Sequence, residues 1–278
     1  MEEQIKIAAV AAPFTGDLDA SFAQVERSVR DARARGAAMV VLPECALGGY
    51  LRPDGRPAAP LELDGPEIAR LCRIAGDMVV CVGFTERGDH LPYSAAVCVS
   101  GDGVLGHQRK VHLPPSENGA FAPGTGFKAF DTPLGRVGML VCYDKVFPEA
   151  ARTLALDGAQ VVASLAAWPL CREAPARRIA ADRQTRQFNL LDEARAIENQ
   201  VVWASSNLTG RIGRLRFPGQ AKVVDANGTV LVKTRGRAGL ALARVELSAG
   251  LSRARAAIDH LGDRMVEAYA PAALPALA

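Results

Sequence analysis

Three residues whose side chains together perform acyl transfer stand at the ends of stretches that read as strands. Glu44 directly follows Val40-Val-Leu-Pro43, Lys110 closes Gly106-His-Gln-Arg-Lys110, and Cys142 closes Met139-Leu-Val-Cys142. In such chemistry a thiol attacks a carbonyl carbon, a carboxylate removes the thiol proton, and an ammonium stabilises the oxyanion that develops. Strand ends are where open α/β folds collect ligands and reactive groups. Taken singly, each residue has a plainer explanation. A strand cysteine is most often a small buried hydrophobe, Glu44 suits a loop, and Lys110 suits a solvated surface. The context of Cys142 argues otherwise. Cys142-Tyr-Asp144 is followed by Phe147-Pro-Glu149, so the chain leaves a strand, turns sharply and enters a helix. At such an elbow the nucleophile is exposed and backbone N–H groups face the substrate carbonyl.

The elements that must position these residues are legible in the apolar pattern. Ile5 to Ala12 and Ala38 to Pro43 read as buried strands. Between them Leu18, Phe22, Val25, Val29 and Ala32 recur at helical spacing, and Gly36 ends that helix. Two strands joined by an amphipathic helix form a parallel βαβ unit. Met78 to Thr85, Tyr93 to Ser100 and Val104 to Lys110 read as three further strands, the last two joined at Gly101-Asp-Gly103. Gly135 to Cys142 is a strand, Phe147 to Leu156 a helix, Val161 to Leu165 a strand, and Pro175 to Asn199 a long helix with proline near its first turn. Strands follow at Val201 to Ser206, Ala221 to Asp225, Thr229 to Lys233 and Gly239 to Val245, with Ala226-Asn-Gly228 as a hairpin turn, before a last short helix. The pattern predicts layered α/β architecture.

Composition bounds the function. The chain has 278 residues, and its 33 Lys and Arg against 30 Asp and Glu leave a formal charge of +3, too little for a dedicated nucleic-acid binder. Six cysteines, Cys45, Cys72, Cys81, Cys98, Cys142 and Cys171, show neither a CxxC pair nor the density of a disulfide scaffold. The start Met1-Glu-Glu-Gln is acidic where a secretory leader is basic. The longest apolar runs fall far short of the ~20 residues that span a bilayer. The expectation is a cytoplasmic protein with free thiols, bound neither to nucleic acid nor to membrane.

These motifs resemble the carbon–nitrogen hydrolase (nitrilase) superfamily, almost end to end. Its three signature regions correspond to Leu42-Pro-Glu44, Arg109-Lys110-Val-His-Leu-Pro114, and Val141-Cys142-Tyr-Asp144 with Phe147-Pro-Glu149. Phe121-Ala-Pro-Gly124, Asp157-Gly-Ala159, Ala194-Arg-Ala-Ile-Glu-Asn199 and Ser206-Asn207 extend the match. The resemblance implies an α-β-β-α sandwich, formed by one domain over residues 1–270, whose subunits pair into a four-layer αββα-αββα dimer. Residues 271–278 would be a tail, disordered or crossing to the partner. It implies that Glu44 is the general base, Lys110 the electrostatic stabiliser and Cys142 the nucleophile. Glu117 takes the place of a supporting second glutamate, and the backbone N–H of Tyr143 joins Lys110 in the oxyanion hole. Trp168 and Tyr50 are candidate substrate contacts. Cys-Tyr-Asp after the nucleophilic strand resembles the amidase-like branch, where nitrile-cleaving members carry Cys-Trp-Glu. The activity implied is hydrolysis of a small primary amide to carboxylic acid and ammonia, without metal or cofactor. Nitrilase and N-carbamoyl amidohydrolase activities would use the same triad. Acyl transfer, or a non-catalytic relative that only binds a metabolite, are readings from other classes.

Several features carry less. Gly101-Asp-Gly103-Val-Leu-Gly106 matches a dinucleotide fingerprint by letter, but it joins two strands where the fingerprint opens a helix. Asn207-Leu-Thr209 matches a glycosylation acceptor on a chain read as not exported. His107 and His112 lie outside the usual zinc spacing and read as structural. Arg177, Arg178, Arg183 and Arg186 make the start of the long helix basic, by default a solvated face, with a site for an acidic substrate arm as the alternative. Cys45, beside Glu44, is expected to be turned away from the pocket by the chain reversal.

Overall fold

A computed structural model of the chain describes residues 4–50 and 59–269, so the tail expected at 271–278 lies outside the described residues. The apolar run at the start forms β1 (Ile5–Ala12), which leads through α1 (Leu18–Ala34) to β2 (Met39–Val41). Helix α2 (Pro66–Ala75) precedes β3 (Val79–Glu86), β4 (Tyr93–Ser100) and β5 (Gly103–Arg109). The second half contributes β6 (Phe130–Thr132), β7 (Gly135–Val141), α3 (Pro148–Leu156), β8 (Val161–Ala166), α4 (Arg183–Asn199) and β9 (Val202–Ile212). It closes with β10 (Leu215–Pro218), β11 (Lys222–Val224), β12 (Val230–Lys233), β13 (Gly239–Val245) and α5 (Ser248–Ala257).

The strands hydrogen-bond in the order β5-β4-β3-β2-β1-β9-β8-β7-β6. Pairing is parallel from β3 through β7, as helix crossovers require, and turns antiparallel at the hairpins β3–β4, β4–β5 and β6–β7. The sheet folds over on itself, so that β4 and β5 pack across β7 while β2 and β3 pack across β8.

Side-chain alternation along each strand then makes three separate cores. Ile7, Ala9 and Ala11 of β1 point inward, against Met39, Val41 and Cys81 from one half of the sheet and Met139, Ala163 and Val161 from the other. Their neighbours Ala8, Val10, Val40 and Val82 point outward onto Phe22, Val25 and Val29 of α1 and Leu71 of α2. On the opposite face Leu140, Val162 and Trp203 receive Ala150, Ala151 and Leu154 of α3 and Ala196 of α4. Four layers, α-β-β-α, result. Each fully buried Val or Leu in these cores contributes about 1.5–3 kcal/mol, so the sheet faces hold the ends of β2, β5 and β7 firmly.

Two departures from the sequence reading have clear causes. The helix expected from Pro175 begins only at Arg183, because the buried Asp182 carboxylate caps it. That carboxylate accepts the N–H groups of Gln184 (2.9 Å), Cys171 (3.1 Å) and Ala176 (3.2 Å), which wraps residues 171–178 around it, and a single 3-10 turn, Ile179–Ala181, leads into the helix. Arg177 and Arg178 therefore precede the helix. Elements α2, β6 and β10 have no counterpart in the sequence reading. The two strands are three and four residues long, too short for a period to register. Helix α2 does carry a cue, Pro66 in its first turn and Gly76 just past its end.

Candidate active site

Glu44 is placed by the continuation of β2 along β3. Leu42 N–H donates to Cys81 O at 2.8 Å and Gly83 N–H donates to Pro43 O at 3.2 Å. The chain then reverses through Cys45, whose φ is 51°. This reversal requires glycine at 83, because a Cβ there would lie 2.5 Å from Glu44 Cα. The Glu44 side chain is fully buried and satisfied at both oxygens. Oε1 accepts from Lys110 Nζ (2.8 Å) and Ser94 Oγ (3.0 Å), and Oε2 accepts from the backbone N–H of Ala167 (2.9 Å).

Lys110 leaves the end of β5 with its backbone still paired to β4, its N–H donating to Ser94 O at 2.8 Å. Its carbonyl accepts from Gly124 N–H at 2.7 Å, which gives the Phe121-Ala-Pro-Gly124 segment a structural purpose. The Lys110 ammonium spans two carboxylates, 2.8 Å from Glu44 Oε1 and 2.8 Å from each oxygen of Glu117. Tyr50 OH donates to Glu117 Oε1 at 2.7 Å. Burial opposes the charge on Lys110, but Glu44, the Cys142 sulfur and Glu117 outweigh it and hold its pKa well above the usual lysine range. Burial also raises the Glu117 carboxyl; Lys110 works against that shift and Glu44 adds to it.

Cys142 begins a short 3-10 turn, Cys142–Val146, directly after β7, with φ of 52°. The sharp elbow read from the sequence is therefore present, but Cys142 is buried at the cavity wall where exposure was expected. Burial and the Glu44 charge push the Cys142 thiol well above its ordinary pKa, with Lys110 opposing them. This shift favours the thiol over the thiolate, so attack calls for a base to take the proton. The Ala167 N–H that holds Glu44 also faces the Cys142 sulfur, which brings carboxylate and thiol to one point of the loop after β8.

A cavity of about 690 Å³ opens onto this group. Cys142, Glu117, Tyr143, Tyr50 and Trp168 all line it, so five of the sequence-derived candidates share one chamber. Glu44 and Lys110 stand behind its wall, joined to it through Glu117 and Ala167. Further out the lining changes to Leu191, Leu215, Gln184, Gln187, Arg172 and Glu173. Trp168 is set by Asn207, whose Oδ1 accepts Trp168 N–H at 2.8 Å while its Nδ2 donates to Trp168 O at 3.1 Å. Asn207 thus fixes the loop whose Ala167 N–H holds Glu44.

Cys45 does not line the cavity, in keeping with the structural role expected of it. It is buried beside the charged group, its sulfur 3.8 Å from Ser94 Oγ, and burial with the Glu44 and Glu117 charges raises its pKa far above the thiol range. It stays a protonated packing residue, yet the reversal at 45 leaves it within the field of the site. His107 pairs with Glu86 (2.7 Å) and His112 with Asp144 (2.9 Å). Among the described residues no group of three or more His, Cys, Asp or Glu side chains is arranged to hold a metal ion. Ser94, Asn207 and the carboxylate of Asp144 support the site without having been singled out for that role. Their signal was motif membership for two of them, and none for Ser94.

The comparison with known sequences agrees with this geometry. Residues 6–255 match the family model described as carbon-nitrogen hydrolase. The chain belongs to the carbon–nitrogen hydrolase family. It is accordingly an enzyme acting on carbon–nitrogen bonds other than peptide bonds. It is similar to a nitrilase of Pyrococcus abyssi, 32% identical over 77% of this chain and 78% of that one. An N-carbamoylputrescine amidase of Arabidopsis thaliana is 35% identical over 52% of this chain and 53% of its own. Among solved structures, a mutant of the amidase from Nesterenkonia sp. AN1 in complex with butyramide superposes with a TM-score of 0.77, 25% identity and 95% coverage of both chains. No helix among the described residues of this hydrolase is long and apolar enough to cross a membrane.

Proposed function

We propose that this carbon–nitrogen hydrolase cleaves a small primary amide to a carboxylic acid and ammonia, through a thioester on Cys142. The observation that carries the reading is the Lys110 ammonium held 2.8 Å from both Glu44 and Glu117, behind a cavity into which Cys142 opens from a positive-φ elbow. Glu44, as general base, takes the Cys142 proton while the sulfur bonds to the amide carbon. The carbonyl oxygen becomes an oxyanion stabilised by Lys110 and the backbone N–H of Tyr143. Glu44 returns the proton to the departing nitrogen, the C–N bond breaks, and ammonia leaves. Water then attacks the thioester with Glu44 again as base, releasing the acid and restoring the thiol. Glu117 holds Lys110 in place and presents its carboxylate, tethered by Tyr50, to the substrate.

A carbamoyl group ends in the same C(=O)–NH2 unit as a primary amide, and the similarity to an N-carbamoylputrescine amidase favours it as the second reading. The test is an ammonia-release assay across aliphatic amides such as butyramide, ω-amides, carbamoyl compounds and nitriles. Turnover of amides, abolished in a folded Cys142→Ala variant, is the expected result. Turnover of nitriles alone would overturn the amidase reading, and activity retained in Cys142→Ala would overturn the mechanism. Added hydroxylamine separates hydrolysis from acyl transfer by the hydroxamate it traps. The expected homodimer is proposed on the same footing; its light-scattering mass would be twice that of one chain.

A further inference from the structure

Directly behind the elbow that carries Cys142 lies a second buried ionic group. Lys145, three residues on in the same turn, places Nζ 2.8 Å from Asp192 Oδ1, and Trp203 Nε1 donates to that oxygen at 2.9 Å. Lys222 Nζ donates to Asp192 Oδ2. All three charged side chains are completely buried. Both ammonium groups lie over the ring of Phe188, Lys145 at 3.2 Å and Lys222 at 4.1 Å from its centroid. Lys145 Nζ is also 5.3 Å from the ring centroid of Trp168, the residue that walls the cavity. Arg195 completes the arrangement, donating at 2.9 Å to the carbonyls of Lys145 and Val146 at the end of the turn.

Packing does not account for this group. Two ammonium ions against one carboxylate leave an excess positive charge in the interior, and burying ions is costly where apolar side chains of the same volume would fill the space without loss. Its placement supplies a reason. A net charge in a region of low dielectric acts on its neighbours with little screening. Cys142 is within electrostatic reach of Lys145 on one side and of Glu44 and Glu117 on the other. The group around Lys110 carries the opposite imbalance, two carboxylates to one ammonium. That imbalance disfavours the negative charge that Cys142 and its tetrahedral adduct must bear, and the excess cation behind the elbow offsets it.

We propose that Lys145, held by Asp192 and backed by Lys222, is a positioning residue that supplies positive potential to the Cys142 elbow. It stabilises the thiolate and the anionic adduct without touching substrate. The proposal rests on the reading of Cys142 as nucleophile. The groups facing Lys145 are Asp192 and Phe188 of α4, Lys222 of β11, Trp168 of the loop after β8, and Cys142 of its own turn, while Trp203 of β9 meets Asp192. Lys222 in turn feels Lys233 of β12 and Glu193 of α4.

The experiment follows alkylation of Cys142 by iodoacetamide, assigned by mass, from about pH 6 to 9 in the parent, Lys145→Met and Lys145→Arg, with kcat and KM for butyramide. Near neutral pH the Met variant should alkylate about tenfold more slowly, with kcat reduced by a similar factor and KM little changed, while the Arg variant keeps most of the parent rate. An alkylation profile that overlays the parent's while only the melting temperature falls would overturn the proposal in favour of packing. If Lys145→Met does not fold, Lys222→Met removes the excess charge from the far side of Asp192 and is read in the same way. Butyramide hydrolysis surviving in Cys142→Ala would defeat the nucleophile assignment alone, since the alkylation comparison still decides whether the cluster acts on this thiol.

Discussion

Asp144 and His112 are joined twice: Asp144 Oδ1 accepts the backbone N–H of His112 at 2.8 Å and lies 2.9 Å from its ring Nδ1. The same carboxylate accepts Val111 N–H at 3.2 Å and, through Oδ2, Val141 N–H at 3.2 Å. One buried side chain therefore ties the loop leaving Lys110 to the strand end that delivers Cys142. The His112 ring stacks on Phe147, centroids 3.7 Å apart, which adds a second tie between the lysine segment and the turn into α3. These contacts join the segment that carries the ammonium to the turn that carries the sulfur, beyond what either strand provides.

Replacing Asp144 with Asn keeps the shape and discards the charge that holds three backbone donors. Hydrogen bonds to charged groups are worth about 1.5–3 kcal/mol each, so the variant should unfold at lower urea and lose at least tenfold in kcat. Urea denaturation and steady-state kinetics on a primary amide check both. A kcat equal to the parent's would show that Asp144 does not set the approach of Lys110 to Cys142.

Lys110 is the cation between two buried carboxylates. Its replacement by Met should abolish turnover and destabilise the fold by about 3–5 kcal/mol, because Glu44 and Glu117 are left facing each other without a counter-ion. Adding Glu117→Gln to that variant removes one of the charges. It should recover stability in denaturant titrations without recovering activity. Equal stability of the single and double variants would argue that the two carboxylates do not repel.

Much of this was legible in the sequence, and for identifiable reasons. Glu44, Lys110 and Cys142 announce themselves because each ends a stretch that reads as a strand, and strand ends are where α/β folds gather reactive groups. The four layers were implied by resemblance, while the alternation of Ile7, Ala9 and Ala11 with Ala8 and Val10 shows physically why both faces of β1 are covered. Ser94 could not be seen, because its hydroxyl reaches Glu44 only through the β3–β4 register. Nor could the pairing of Asp192 with Lys145 and Lys222, 47 and 30 residues away in sequence and each a surface charge by type. The start of α4 was misread because apolar periodicity does not reveal that Asp182 gathers backbone donors from residues well before it.

Gly83 offers a test of how tightly Glu44 is held. A methyl group at this position would lie 2.5 Å from Glu44 Cα and 2.6 Å from Cys45 N, both backbone atoms that cannot step aside cheaply. Gly83→Ala should cost about 1–3 kcal/mol of stability and depress kcat by displacing the carboxylate from Lys110 and Ala167. Chemical denaturation and amide turnover measure the two effects. A variant with parent-like kcat would show that the base tolerates displacement.

The buried cation behind the elbow also predicts how stability responds to alkali. Burial lowers the Lys145 pKa to about 8, with Asp192 opposing the shift and Lys222 adding to it. In the unfolded chain the same group titrates near the ordinary lysine value of 10.5. Between these values the unfolded state binds more protons, so the contribution of Lys145 to stability rises with pH above about 8. The buried thiols Cys45, Cys98 and Cys142 act the other way, since their folded pKa values are raised above 9.0 and their stabilisation is lost as pH climbs past that point. Comparing the parent with Lys145→Met, both in the Cys142→Ala background, removes the one thiol that Lys145 acts on and cancels Cys45 and Cys98. The urea midpoint of the parent should gain on that of the variant as pH rises from about 8 towards 10. A constant difference between the two midpoints across that range would mean that Lys145 carries the same charge in the folded and unfolded chain.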